Sequence, residues 1–181
     1  AEQHWLRIFK DCDVVVGPTG SCVYHISQHF KQKPDLPVYE ISAFFLEYMN
    51  LPLRSGIFEG NIAILQSCHT LRGLKNGNSS ELGGNDLSTV EKIIHQISSL
   101  NPVFPERRDE CCGFGGMFSV KEEAVSVAMG RQRIEEFIQC KTDIITGTDM
   151  SCLMHIDGII KREKLKMKVI HIAEIMNESI Q

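Results

Sequence analysis

The sequence predicts an α/β fold built on mainly parallel strands, and three observations carry that expectation. Short apolar runs end in Gly, Ser or Cys and alternate with longer stretches of helical period. Parallel neighbours need a crossover, so strand alternating with helix is their pattern. A strand–turn–helix segment also occurs twice in the chain.

In order, residues 14–16, 62–65, 144–145 and 169–172 read as short buried strands. Residues 87–100, 120–138 and 172–180 read as amphipathic helices. The first two open at Ser88 and Ser119, whose hydroxyls suit N-caps. Residues 75–86, rich in Gly, Asn and Ser, read as a loop.

The recurring segment is Asp13-Val-Val-Val-Gly-Pro-Thr-Gly-Ser-Cys22-Val-Tyr-His25-Ile26, which aligns without a gap on Asp143-Ile-Ile-Thr-Gly-Thr-Asp-Met-Ser-Cys152-Leu-Met-His155-Ile156. Six of the fourteen positions are identical. With one residue of slippage, Val38-Tyr-Glu-Ile41 then pairs with Val169-Ile-His-Ile172. Apolar βα units resemble one another by chance, but a shared Gly-x-x-x-Ser-Cys-x-x-His points to an internal duplication. The expected division is residues 1–58 as the C-terminal part of a first copy and 59–181 as a complete second copy. Only 21 residues precede Cys22, so the first repeat is expected to be truncated at its front. An upstream segment with its own Cys-Cys-Gly would complete it. Residues 14–16 and the segment around Phe44, Phe45 and Leu46 would then lack packing partners, and a homodimer is expected to cover them.

Composition narrows the function. A net charge of -4, with no cluster of Lys and Arg among aromatics, excludes a nucleic-acid footprint. No apolar run is long enough to span a bilayer, and the N-terminal residues carry no secretory pattern, so the expected location is cytoplasmic. Seven cysteines, an odd number, then read as thiols or metal ligands rather than a disulfide framework.

Four of them fall at the ends of expected strands: Cys68, the adjacent pair Cys111 and Cys112, and Cys152. Ligands bind at the carboxyl ends of strands in open α/β sheets, and thiolates select zinc, copper(I) or iron–sulfur clusters. An adjacent pair is strained on one small ion, whereas a cluster offers each cysteine its own iron. Gly113, Gly115 and Gly116 let peptide N–H groups approach the sulfurs. His69 and Arg72 could offset thiolate charge. His155 and Cys22 are further candidate ligands; a hydrogen-bonded core histidine is the more common reading of His155, and Cys22 stands apart from a small buried hydrophobe only as the repeat partner of Cys152. Cys12 and Cys140 read as packing residues. The Gly-rich run lacks the Gly-Lys-Ser/Thr of a phosphate loop. Zinc remains open as an alternative, since Cys and His in fours satisfy it. Thiol–disulfide catalysis is disfavoured by the absence of Cys-x-x-Cys. No catalytic residue can be named.

Cys68-His-Thr-Leu-Arg-Gly-Leu, Glu110-Cys-Cys-Gly-Phe-Gly-Gly-Met-Phe-Ser-Val-Lys, Ser151-Cys-Leu-Met and Val169-Ile-His-Ile-Ala-Glu-Ile resemble the CCG cysteine-rich domain. That domain occurs twice in a heterodisulfide reductase component, in the iron–sulfur subunit of glycolate oxidase and in the lactate utilization protein A family, whose wording is nearest. The resemblance implies tandem CCG-type repeats and a four-iron cluster. It also implies an electron-transfer role in L-lactate or other 2-hydroxy-acid oxidation beside other lactate-utilisation iron–sulfur subunits. The alternative is a zinc-bound or metal-free docking module of such a complex. Where the family closes with Cys-x-x-Cys, this chain has Cys152-Leu-Met-His155, one thiol fewer. The stretch from Cys68 to Cys111 is also longer than the family's usual spacing.

Overall fold

Helix α1 (Glu2–Ile8) leads into strand β1 (Val15–Gly17), helix α2 (Gly20–His29) and strand β2 (Val38–Glu40). Helix α3 (Ile41–Phe44) follows and runs on as a π-helical turn, Phe45–Met49. The larger part contains β3 (Gly60–Ile64), a second π-helical turn (His69–Gly73), α4 (Thr89–Ile94), β4 (Leu100–Pro102), α5 (Met117–Lys121) and α6 (Glu123–Gln139). It closes with β5 (Ile144–Gly147), α7 (Met150–Arg162), β6 (Lys168–His171) and α8 (Ile172–Ser179). The computed structural model describes residues 2–31, 36–49, 51–77 and 86–180. Of the expected loop 75–86, residues 78–85 lie outside the described residues.

The chain is an α/β protein with parallel sheets. Strands β1 and β2 form a two-stranded sheet, and the other four stand in the order β4-β3-β5-β6. Alternation along a strand sends neighbours to opposite faces, and here it sorts the core into two. Ile62, Ile64 and Ile144 pack with Val90, Ile93 and Ile94 of α4 and with Ile172, Ile175 and Met176 of α8. Ala63, Leu65 and Ile145 pack on the other face with Ile134 and Phe137 of α6 and with Leu153, Ile156 and Ile160 of α7. Among the described residues no helix is long and apolar enough to cross a membrane.

Several local expectations need correction. The segment 87–100 is not one helix: α4 ends at Ile94, and Leu100–Pro102 becomes edge strand β4 beside β3. Val90, Ile93, Ile97 and Leu100 are all buried at helical spacing, so periodicity alone could not see the change. Pro102 is tolerated because an edge strand need not donate on both sides. Ser88 is the cap, in a reciprocal box: its Oγ accepts the Glu91 N–H (3.2 Å) and the Glu91 carboxylate accepts the Ser88 N–H (2.6 Å). Ser119 caps nothing. It lies inside α5, with its Oγ donating to Gly116 O at 2.7 Å, and the non-helical backbone of Glu122 (φ -122°, ψ 48°) separates α5 from α6. Cys12 is exposed rather than packed. Phe45 is 1% exposed, covered by the chain's own larger sheet, while Phe44 and Leu46 are half-buried.

The recurring segments adopt matching backbones. In β1–β2 the partners are Val15 with Val38, Val16 with Tyr39 and Gly17 with Glu40. In β5–β6 they are Ile145 with Val169, Thr146 with Ile170 and Gly147 with His171, the same register position by position. Glu40 caps α3 by accepting the Ser42 N–H (3.1 Å), and His171 caps α8 by accepting the Ala173 N–H on Nδ1 (3.1 Å). His171 Nε2 therefore carries the proton it gives to Pro18 O (3.0 Å), tying β6 to the loop after β1. Burial raises the Glu40 carboxyl above its usual range, against the Ser42 hydrogen bonds that lower it.

Candidate metal centre

From β3 the chain crosses to β4 on one side, then returns past β3 to β5 and on to β6. The strand order thus reverses between β3 and β5, and the crevice beyond their carboxyl ends is the ligand position of an open α/β sheet. Cys68 follows β3 at the head of the π-helical turn His69–Gly73, and Cys152 lies in the first turn of α7 after β5. Cys111 and Cys112 arrive on the segment between β4 and α5.

The four thiols adjoin in series. Electrostatic coupling links them in order: Cys68 to Cys111, Cys111 to Cys112, and Cys112 to Cys152. Cys112 is 4% exposed within the apolar core, whereas Cys68 is exposed. Burial and then the Cys111 charge raise the Cys68 thiol. Interaction with Cys112, followed by burial, holds Cys111 far above the ordinary thiol range. At Cys112 the interaction with Cys111 favours the thiolate, but that with Cys152 and burial outweigh it and push the thiol up to about 12. Each thiolate opposes the next, and a positively charged centre would relieve this.

Backbone donors face the sulfurs. Gly113 N–H points to Cys111 Sγ (3.4 Å) and Phe114 N–H to Cys112 Sγ (3.5 Å). Gly113 has φ +88°, and a Cβ there would stand 2.6 Å from Ser126 O, so the turn requires glycine. Ser126 Oγ donates to Gly113 O (2.8 Å) and ties this turn to α6. Gly115 and Gly116 continue in left-handed backbone.

Two residues that sequence reasoning passed over hold the frame. Arg133 on α6 is fully buried. It donates to Arg107 O (2.5 Å) and Arg108 O (2.8 Å), and pairs with Glu136 (2.6 Å). Glu136 also binds Arg107, which reaches Glu110 at 3.1 Å. The segment entering Cys111 is thus clamped from below. Burial lowers the Arg133 guanidinium, with Glu136 acting against it. The other residue is Asp149, which is 2% exposed. It accepts the Ser151 N–H and Oγ–H at the start of α7 (3.3 and 2.5 Å), the Ser21 N–H at the start of α2 (3.0 Å) and Ser67 Oγ–H beside Cys68 (3.3 Å). One carboxylate caps two helices from different parts of the chain. An Asp at an N-cap position was a readable sign for α7; its reach to α2 was not.

The remaining candidates are dispersed. His69 Nδ1 lies 3.8 Å from Cys68 Sγ, and Arg72 pairs with Asp109 at 3.4 Å while lowering the Cys68 thiol against its burial. His155 is directed to α6: its Nε2 lies 3.2 Å from Ser126 O, and its ring centre is 6.1 Å from that of Phe114. Cys22 is exposed on α2, and Cys140 donates its thiol to Phe104 O at 3.2 Å. Among the described residues no three His, Cys, Asp or Glu side chains converge on a point suited to a single ion. The donor chemistry of these thiols, with peptide N–H groups at two of them, suits a soft metal or an iron–sulfur centre.

The profile of the cysteine-rich domain CCG matches residues 62–157, the stretch that runs from β3 into α7 and holds all four thiols. Lactate utilization protein A of Oceanobacillus iheyensis is 32% identical over 95% of this chain and 71% of its own length. The protein of that name from Macrococcus caseolyticus is 30% identical over 100% of this chain and 75% of its own, and lactate utilization protein A 2 of Bacillus mycoides is 32% identical over 98% and 75%. With the glycine-turned Cys111–Cys112 pair seated at the switch point of the sheet, and likeness extending over nearly its full length, this chain belongs to the CCG cysteine-rich domain family.

Proposed function

We propose that Cys68, Cys111, Cys112 and Cys152 hold an iron–sulfur cluster of the four-iron type, and that the chain relays electrons in the oxidation of L-lactate or a related 2-hydroxy acid. The observation that carries this reading is the series of four adjoining thiols at the switch point, two of them met by peptide N–H groups. A bound cluster would supply one-electron chemistry. The chain's own part is to hold and tune it. The N–H groups of Gly113 and Phe114 stabilise negative charge on sulfur, the Arg72 guanidinium favours the Cys68 thiolate, and burial of Cys112 keeps water from the inner side. The exposed Cys68 side is where a partner could approach. Partners would be other iron–sulfur subunits of such a system in the cytoplasm; the relatives' names support lactate utilisation. The matching registers and caps of β1–β2 and β5–β6 support residues 1–58 and 59–181 as two copies of one unit.

The test is metal and acid-labile sulfide analysis of protein purified without oxygen. Iron and sulfide in comparable amounts, lost in Cys111→Ser or Cys112→Ser, are expected. Stoichiometric zinc without sulfide would replace this reading with that of a structural docking module.

A further inference from the structure

Helix α2 carries two histidines that none of the interactions above uses. His25 and His29 stand four residues apart, on one face of the helix. The opposite face is the packed one, where Val23 is 2% exposed and Gly20 lies against Thr70. Both histidines are exposed, and their ring centres are 5.3 Å apart with the planes 34° from parallel. Their further ring contacts are with Tyr24 at 5.6 Å for His29 and Phe30 at 6.0 Å for His25. Those contacts restrict the rings without using their nitrogens.

We propose that His25 and His29 form a two-imidazole site for a divalent late transition-metal ion such as Ni2+, Cu2+ or Zn2+. Neutral imidazole is a ligand for these ions, and a His-x-x-x-His pair on one helix face presents two of them together. An ion held about 2.0–2.1 Å from one nitrogen of each ring stands roughly 3 Å from each ring centre. A tetrahedral angle then separates the centres by about 5 Å, which agrees with the spacing observed. Small rotations about the side-chain bonds complete the site, and the helix backbone need not move. Two protein donors leave coordination positions open, so the bound ion can take water or a donor from a second molecule. Hard ions such as Mg2+, which prefer oxygen ligands, are excluded. The other described histidines offer no such pair: His4 accompanies Arg7 (3.1 Å), His155 and His171 are committed to carbonyl oxygens, and His69 and His95 lie on other elements.

The experiment uses the untagged full chain on a chelating column charged with Ni2+; the exposed thiols Cys12, Cys22 and Cys68 are the same in every variant compared. Wild-type protein and His95→Gln are expected to be retained and to elute together with imidazole. His25→Gln, His29→Gln and the double variant should elute early, and Ni2+ titration of each should show affinity weakened about tenfold or more. Far-UV circular dichroism and iron content verify that these exposed substitutions leave the fold and the cysteine centre intact. Passage of the wild type without retention, or co-elution of the double variant with it, overturns the assignment. Neither outcome depends on whether the thiols carry iron.

Discussion

Cys22 and Cys152 occupy matching places in two strand–turn–helix units that share register and capping positions, yet their surroundings differ. Cys152 is coupled electrostatically to the buried Cys112, which is coupled in turn to Cys111, whereas Cys22 is exposed on α2 and shows no such coupling among the described residues. Thr19, the residue matching Asp149, caps α2 without a side-chain hydrogen bond, and Asp149 supplies that function from the other unit. A strand–turn–helix unit is therefore a corner and not a site. It becomes one where a neighbouring strand end and a clamped loop bring companion donors to the same crevice.

This comparison can be broken, most sharply at the cysteines. Cys112→Ser or Cys152→Ser is expected to remove all bound iron and sulfide from protein purified without oxygen, while Cys22→Ser keeps both. Equal loss in the Cys22 variant would make the two corners equivalent. Next in size is the clamp beneath Cys111, which has no described counterpart beside Cys22. Arg133→Met leaves Glu136 buried without its partner and frees two carbonyls, and should cost about 3–5 kcal/mol in urea unfolding.

The shared cap gives a smaller, graded contrast. Asp149→Ala should destabilise by about 2 kcal/mol, at the upper end for caps because two helix starts lose an acceptor; Thr19→Ala should cost about a few tenths. Equal costs would mean that the carboxylate does not join the units. The metal-free protein should also show a pH dependence. Cys68, Cys111 and Cys112 titrate above the ordinary 9.0 in the folded chain, so the unfolded chain gives up these protons first. Their contribution to stability is complete below pH 9 and falls as pH rises toward about 12. Urea midpoints should accordingly drop between pH 8 and pH 10, less so in Cys112→Ser and unchanged in slope in Cys22→Ser.

The sequence alone determined the parallel α/β class and the strand–turn–helix recurrence, and it marked four cysteines at strand ends, because period-two and helical patterns, glycine turns and spacing are local properties of the chain. It also marked Ser88 as a helix start, where Glu91 stands three residues on. Local pattern misled where two states share it: buried positions from Val90 to Leu100 keep helical spacing although the chain has already turned into an edge strand. Ser119 failed as a cap because the left-handed backbone at Gly116 begins the helix earlier. Only tertiary structure decided what Arg133 and Asp149 do. A charged residue in an amphipathic helix reads as solvent-facing, and an N-cap aspartate reads as serving its own helix. Their partners lie 25 and 26 residues away for the Arg133 carbonyls, and 128 and 82 for Ser21 and Ser67 on Asp149. Burial makes such long-range pairs costly to leave unmade, and no pattern along the chain encodes which groups will meet once the sheet has formed.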